Sequence, residues 1–351
     1  MIRRVKPAPA SPGAGDPARL VTIDMVARAA EVSPSTVSRI LNGTAVVSAD
    51  KIKAVEQAIR ELGYVPNPVA RGLAGGRTLS VGVVTQTLDS PFYGSALRGI
   101  EAELLAAGYT PLFISGQWNE REEQHSISVL RARRVDGIIA LDARLSDEAL
   151  IALARDLPVV VTGRSLEAPN LASLCFDNFG GARQATDYLL DLGHRRIAFI
   201  TGDPEHQDAL ERQRGYLGAL AERGVAADPR LIIPGDYREP SGTQAVLRLL
   251  KQRVDFTAVF AANNQMALGA LLGLYQKHVS VPQQVSVMGF DDLQVGQYSI
   301  PPLSSVHQPG LETGRLAARA MSALLEGRRP KLRMPTPRLV VRESTGRCAA
   351  P

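Results

Sequence analysis

Apolar positions recur along this chain with two different periods, and the change of period divides it. Near the start, Val26, Ala27 and Ala30 share one face of a helix expected over residues 23–30. After the turn Glu31-Val32-Ser33, the positions Val37, Ile40 and Leu41 predict a second short helix, 34–41. Ser33 is a residue type that caps helices, and Pro34 suits the first helical position, where its missing N–H costs nothing. Asn42-Gly43 ends the segment. Ile52, Val55, Ile59 and Leu62 predict a third helix, 49–62, capped by Ser48 and stopped by Gly63. Asn67-Pro68 looks like another helix start, but a helix over 68–74 is under two turns. Gly72, Gly75 and Gly76 weaken it further. Nucleation is costly, so this segment is expected to be a linker that turns helical only when something else stabilises it.

From residue 79 onward, short continuous apolar runs replace the helical spacing. Buried strands are expected at 79–85, 111–115, 137–141, 158–162, 196–201, 231–234, 258–262 and 285–290. Helical stretches lie between them, for example 94–107, 120–131, 180–192, 210–223, 241–251 and 265–277. Such alternation predicts parallel sheets covered by helices on both faces. Two such units in tandem leave a cleft at the carboxyl ends of their strands, where ligands bind. The expected class is α/β, with an all-α helix-turn-helix domain at the N-terminus.

Composition narrows this picture. A hydrophobic share of 45% with only 5% aromatics suits a soluble α/β protein with an aliphatic core. No apolar run reaches the roughly 18 residues of a membrane-spanning helix. Residues 1–20 begin with a basic stretch and continue in Pro, Ala and Gly, without the apolar core of a secretion signal. They read as a disordered basic arm. Cys175 and Cys348 have no metal-ligand spacing, and the five histidines form no metal pair. Two unpaired thiols in a reducing cytoplasm are expected, with no metal and no cofactor. Charge is uneven: residues 1–79 hold 11 Lys/Arg against 6 Asp/Glu, and residues 80–351 hold 29 of each. The whole excess of +5 lies at the end that carries the helix pair. Lys and Arg there would neutralise phosphates, although a basic end can also be a solvated surface.

Two short helices joined by a tight turn have the shape that enters a DNA major groove. Pro34, Ser35, Ser38 and Arg39 would lie on the exposed face of the second. Arg39 can make a bidentate contact with guanine or reach a phosphate. Ser35 and Ser38 are short donors, Thr36 can reach a phosphate, and Asn42 can bond backbone or DNA. Spacing alone fits an ordinary helical hairpin equally well.

Particular runs of residues decide the point. They are Val21-Thr22-Ile23-Asp24-Met25-Val26-Ala27, Val32-Ser33-Pro34-Ser35-Thr36-Val37-Ser38-Arg39-Ile40-Leu41-Asn42, Glu61-Leu62-Gly63-Tyr64-Val65-Pro66-Asn67 and Ala70-Arg71-Gly72-Leu73. In the body they are Arg134-Val135-Asp136-Gly137, Leu192-Gly193-His194-Arg195-Arg196-Ile197, Asn264-Gln265-Met266-Ala267-Leu268-Gly269, Gly289-Phe290-Asp291-Asp292 and Pro301-Pro302-Leu303-Ser304-Ser305-Val306. Together they resemble the lactose-repressor/galactose-repressor family over nearly the whole chain. The resemblance implies a cytoplasmic, homodimeric repressor on a pseudo-palindromic double-stranded DNA operator. Its DNA contacts would come from Thr22, Ser33, Pro34, Ser35, Thr36, Ser38, Arg39, Asn42, Tyr64, Asn67, Ala70 and Leu73. Residues 67–74 would match the hinge helix that forms on specific DNA. Leu73 would be its wedge in the minor groove, a known way to unstack a base step and kink DNA.

The resemblance also implies a two-lobed, periplasmic-binding-protein-like body. The implied domains are an arm (1–20), the DNA-binding domain (21–66), hinge and linker (67–78) and the effector and dimerisation domain (79–351). One lobe would comprise about 79–177 and 308–336, the other about 178–307 and 337–351. A sugar or sugar derivative would be held by Phe92, Arg164, His206, Asp208, Arg212, Tyr237, Asn263 and Asp291. Structural roles remain open for several: a surface arginine at 212, a turn cap at Asp291, core packing at Phe92, solvated loop positions at His206 and Asp208. Asn264 stands where the family often has aspartate, which should make that wall less anionic. Whether the arginines take a sugar acid, a phosphate or a neutral sugar is undecided. No leucine heptads follow residue 345, so no tetramerising tail is expected.

Other classes lack their signatures. There is no Walker A motif, no Gly-x-Gly-x-x-Gly after a strand and no Gly-x-Ser-x-Gly elbow, so an enzyme is not expected. A sugar-transport protein would need an export signal in place of residues 20–76. A non-specific architectural DNA protein would have no use for a ligand cleft. Within the family, a corepressor-dependent repressor is the alternative to an inducible one.

Overall fold

A computed structural model describes residues 21–41, 47–65 and 77–348. The expected arm at 1–20, the expected hinge at 67–74 and the candidate contacts Asn42, Asn67, Ala70 and Leu73 lie outside the described residues. The chain divides into two compact units, 1–78 and 79–351.

The first unit is all helical where described: α1 (Ile23–Ala29), α2 (Pro34–Leu41) and α3 (Ala49–Leu62). Its small core joins Val26, Ala27 and Ala30 to Val37, Val55 and Ala58, the apolar faces that the spacing picks out. Glu31 takes a left-handed backbone (φ 52°) and turns the chain between α1 and α2. Ser33 Oγ then accepts the Thr36 N–H at 3.2 Å, capping α2. Ser48 also occupies a cap position, but its side chain makes no cap bond, contrary to expectation. Gly63 closes α3 in the left-handed region at φ 64°. Ser33→Ala should cost the helical unit about 1 kcal/mol. Denaturant melts followed by helical circular dichroism check this; an unchanged midpoint would remove the cap from the account.

The second unit contains two parallel-stranded sheets. The first has β1 (Ser80–Thr85), β2 (Thr110–Ser115), β3 (Gly137–Ala140), β4 (Val159–Thr162) and β5 (Leu171–Leu174), in the order β2-β1-β3-β4-β5. The second has β6 (Ile197–Ile200), β7 (Ile232–Ile233), β8 (Ala258–Ala261), β9 (Ser286–Asp291), β10 (Ser304–His307) and β11 (Arg338–Val340), in the order β11-β10-β9-β8-β6-β7. Among the described strands only β11 runs antiparallel, on β10. Strands β3, β4, β6, β8 and β9 are buried at every position, as parallel strands covered on both faces must be.

The covering helices are α4 (Pro91–Ala106), α5 (Glu120–Ala132), α6 (Asp147–Asp156), α7 (Asn178–Asp191), α8 (Gln207–Glu222), α9 (Glu239–Lys251), α10 (Asn264–Gln276) and α11 (Gly310–Leu325). Three elements go beyond the strands expected from sequence: β5, β10 and β11. The chain leaves the second sheet after β10 and lays α11 against α4, β3, β4 and β5 of the first. It then returns to form β11. The α4–α11 approach is close because Gly99 and Gly314 have no side chains: a Cβ on Gly99 would run into the Leu311 carbonyl, and one on Gly314 into that of Ala96. No described helix is long and apolar enough to cross a membrane.

Candidate ligand cleft and helix pair

In both sheets the neighbouring connections diverge where the chain reverses its order, β1 lying between β2 and β3, and β6 between β7 and β8. Side chains just past the carboxyl ends of such strands line a crevice. Here a cleft of about 580 Å³ opens between the two sheets. Phe92 reaches it from the first turn of α4, Asp142 and Arg144 from just past β3, and Gly163 and Arg164 from the end of β4. From the second sheet come His206, Asp208 and Arg212 after β6, Tyr237 after β7, Asn263 after β8 and Asp291 at the end of β9. All eight effector candidates from the sequence therefore line one cavity.

Their side chains do different jobs. Arg212, only 3% exposed, is the hub. Its Nε donates to Asn178 Oδ1 at 2.8 Å, and its terminal nitrogens donate to the Ala262 carbonyl and, at 2.9 Å, to Gln308 Oε1. The guanidinium lies 3.9 Å above the Phe290 ring and reaches Asp291 at 3.5 Å and Asp208 at 4.0 Å. Burial pushes both carboxyls up to about 7, and the nearby Asp142 charge adds to this, while Arg212 pulls the other way. Arg164 is committed to its own loop, donating to the carbonyls of Leu145 and Ala143 and to Asp147. Asn263 caps α10 through the Met266 N–H and donates to the Tyr237 carbonyl at 2.9 Å.

Aromatic rings form a chain across the cleft. Phe92 meets Tyr93 at 5.2 Å, Tyr93 meets Trp118 at 6.0 Å, and Trp118 meets His206 edge-to-face at 4.3 Å. His206 in turn faces Tyr237 at 6.0 Å. Burial lowers the His206 pKa and so favours its neutral ring. Tyr237 holds φ 67°, folding its ring over Gly202, where a Cβ would collide with it. Arg144 pairs with Glu205 and, at 3.9 Å, with Asp203, linking the two lobes beside this aromatic contact.

Sequence reasoning missed Tyr93, Trp118, Asp142, Asn178 and Gln308. Asp142 accepts the Tyr93 hydroxyl at 2.9 Å and the Thr162 hydroxyl at 2.8 Å. Trp118, the only tryptophan, follows β2 in a left-handed conformation (φ 55°), its N–H held by the buried Gln86. Both lie just past expected strands, so position relative to a strand end was the signal available. Asn264 corrects another expectation. It is fully buried, accepting the Ser305 hydroxyl at 2.6 Å, and does not form part of the cleft wall.

In the helical unit, Thr22, Ser33, Pro34, Ser35 and Arg39 are exposed, while Thr36 and Ser38 are half-buried. Ser33 Oγ lies 2.8 Å from both Ser35 Oγ and Thr36 Oγ1, and Arg39 Nε donates to the Ser35 carbonyl at 3.3 Å. Tyr64 packs half-buried against the core of this unit.

Comparison with known proteins matches both parts. Residues 22–67 match the bacterial regulatory proteins of the lacI family, and residues 186–345 match a periplasmic binding protein-like domain. Catabolite control protein A of Priestia megaterium is 35% identical over 304 residues, covering 86% of this chain and 92% of that protein. A transcriptional regulator CelR–cellobiose complex superposes with a TM-score of 0.68 at 35% identity, over 92% of this chain and 99% of the other. A lac repressor dimer bound to operator and the anti-inducer ONPF superposes with a TM-score of 0.84 at 29% identity, over 93% of this chain and all of the other. The relatives are transcription regulators, and with this similarity running through the helix pair and the two-sheet body alike, the chain belongs to the lacI family of bacterial regulatory proteins.

Proposed function

We propose that this regulator is a ligand-responsive repressor that holds a pseudo-palindromic operator as a homodimer and releases it when a sugar-type inducer enters the cleft. The observation that carries the reading is the cleft itself. Polar groups from both lobes converge on one cavity beside a row of aromatic rings, the lining that sugar hydroxyls and sugar ring faces require. The exposed Pro34, Ser35 and Arg39 on α2 supply the base-reading and phosphate contacts, with Thr36 and Ser38 beside them. Thr22, Ser33, Tyr64 and the segment with Asn67, Ala70 and Leu73 complete the DNA contacts. Exposed Leu272 and Tyr275 on α10, with Tyr298 and Ile300, offer an apolar face for the second copy. The inducer acts only through its different affinity for the gripping and released states.

Fluorescence anisotropy on DNA upstream of the gene, with sugars titrated in, tests this directly. Binding to a palindrome well above random DNA, lost on adding one sugar, is the expected result. Equal binding to random DNA would end the repressor reading, and tighter binding with ligand would reverse its sign. Leu73→Ala should weaken operator binding by roughly tenfold or more, with much less effect on random DNA. Equal losses on both would remove the wedge.

A further inference from the structure

The two lobes bring carboxylates to the same point of the cleft. Gly163 (φ 76°) marks it: an atom placed at its Cβ position would be 2.7 Å from Asp142 Oδ1 and 3.8 Å from Asp208 Oδ1. Asp142 belongs to the first lobe and Asp208 to the second, and Asp291 lines the same cavity. The partners given to Asp142 are neutral, the hydroxyls of Tyr93 and Thr162. Asp208 has the neutral Asn178 as its hydrogen-bond partner and Arg212 only at 4.0 Å, because that guanidinium is drawn toward Asn178, Ala262 and Gln308 and over the Phe290 ring.

The other cations of the lining are committed elsewhere. Arg144 pairs with Glu205 and Asp203, and Arg164 with Asp147 and two carbonyls. Among the described lining residues there is no lysine. An acid or phosphate would therefore face three acidic side chains, two of them already raised to about 7 by burial, with one engaged arginine against them in a crevice that screens charge poorly. Among the described residues no group of His, Cys, Asp or Glu is arranged to hold a metal ion, so a bound metal does not resolve the convergence. A ligand ammonium does: placed between the two carboxylates beside Gly163 it offsets the charge of both, and the rings of Tyr93, Trp118 and Tyr237 line the same cleft for the rest of the ligand.

We propose that the effector is an amine-bearing sugar, with its ammonium seated between Asp142 and Asp208 and its ring face on the Trp118 side of the cleft. This rests on the cleft being the effector site, and it names the chemical class of the effector. The ammonium also explains how such a ligand would draw the lobes together: it removes the repulsion between one carboxylate on each.

Three disaccharides of matched size and different charge test this: β-1,4-linked glucosamine dimer, cellobiose and cellobionic acid. Calorimetric titration of each into the full-length protein without DNA, at pH 7, keeps the result independent of operator binding. The diamine should bind at least ~tenfold more tightly than cellobiose, with the acid weakest. Asp208→Asn and, separately, Asp142→Asn should each bring the diamine to within about threefold of cellobiose, both sugars being titrated into the same variant. Cellobiose or the acid binding as tightly as the diamine overturns the proposal, and so does a diamine preference that survives both substitutions. Binding of none of the three also overturns it, whereas the repressor reading would still stand or fall on the anisotropy assay.

Discussion

Replacing Arg212 by alanine is expected to cost the body about 3–5 kcal/mol and to abolish any effector response. The side chain is 3% exposed and joins four segments: Asn178 at the start of α7, Ala262 after β8, Asp291 at the end of β9 and Gln308 after β10. Truncation would leave Asp291, itself 5% exposed, without its cation, along with unpaired oxygens on Asn178 and Gln308. The cost arises mostly from those stranded groups, not from the worth of the ion pair. Adding Asp291→Asn to Arg212→Ala should therefore recover part of the loss, a coupling that a double-mutant cycle reads directly. Arg212→Lys keeps the charge but not the fork, so it should lose less stability yet still fail to hold all four segments. Denaturant unfolding of the full-length variants gives the energies. A loss below 1 kcal/mol in the alanine variant would mean that Arg212 is not the hub its contacts describe.

The sequence made Arg212 legible only through resemblance, since an arginine in the first turns of an amphipathic helix is ordinarily a surface residue. Two strands of the first lobe were readable on physical grounds alone, because Val81–Val84, interrupted only by Gly82, and Val159–Val161 are short valine-rich runs buried on both faces. The strands that were missed disguise themselves. β10 carries Ser304 and Ser305 at 0% exposure, which reads as loop until their partners are known. Ser304 Oγ pairs with Thr345 Oγ1 at 2.8 Å, and Ser305 donates to Asn264. Those partners are some 40 residues distant in sequence, so no local pattern announces them. β5 alternates half-buried and buried positions over only four residues at a sheet edge. Two residues of the cleft were missed in the same way. Asp142 and Trp118 lie in short loops whose meaning depends on His206 and Asp208 in the other lobe, and only the folded chain brings those together.

Asp208→Asn should flatten the pH dependence of stability between pH 4 and 8. In the folded protein Asp208 is pushed up to about 7 by burial and by the Asp142 charge, against about 3.9 for an exposed aspartate. The folded state thus keeps a proton that the unfolded chain has released, and stability falls as pH rises through this window. Below the unfolded pKa both states are protonated and the contribution is complete; above about 7 it is gone. Each unit of difference is worth about 1.4 kcal/mol, so the wild-type slope should be plain in denaturant midpoints. Asp291, likewise pushed up to about 7, slopes in the same direction, and Arg212 opposes both by favouring the charged forms. His206 acts oppositely: burial lowers its pKa, so the unfolded chain takes up a proton first as pH falls, which lowers stability on the acid side. Removing Asp208 alone leaves the His206 contribution in place and also relieves Asp291 of a neighbour. Relative to wild type, the variant should therefore gain stability at pH 8 and gain little or none at pH 4. Parallel curves for the two proteins would mean that Asp208 is ionised in the folded cleft throughout, with its burial offset by contacts stronger than the 4.0 Å approach of Arg212.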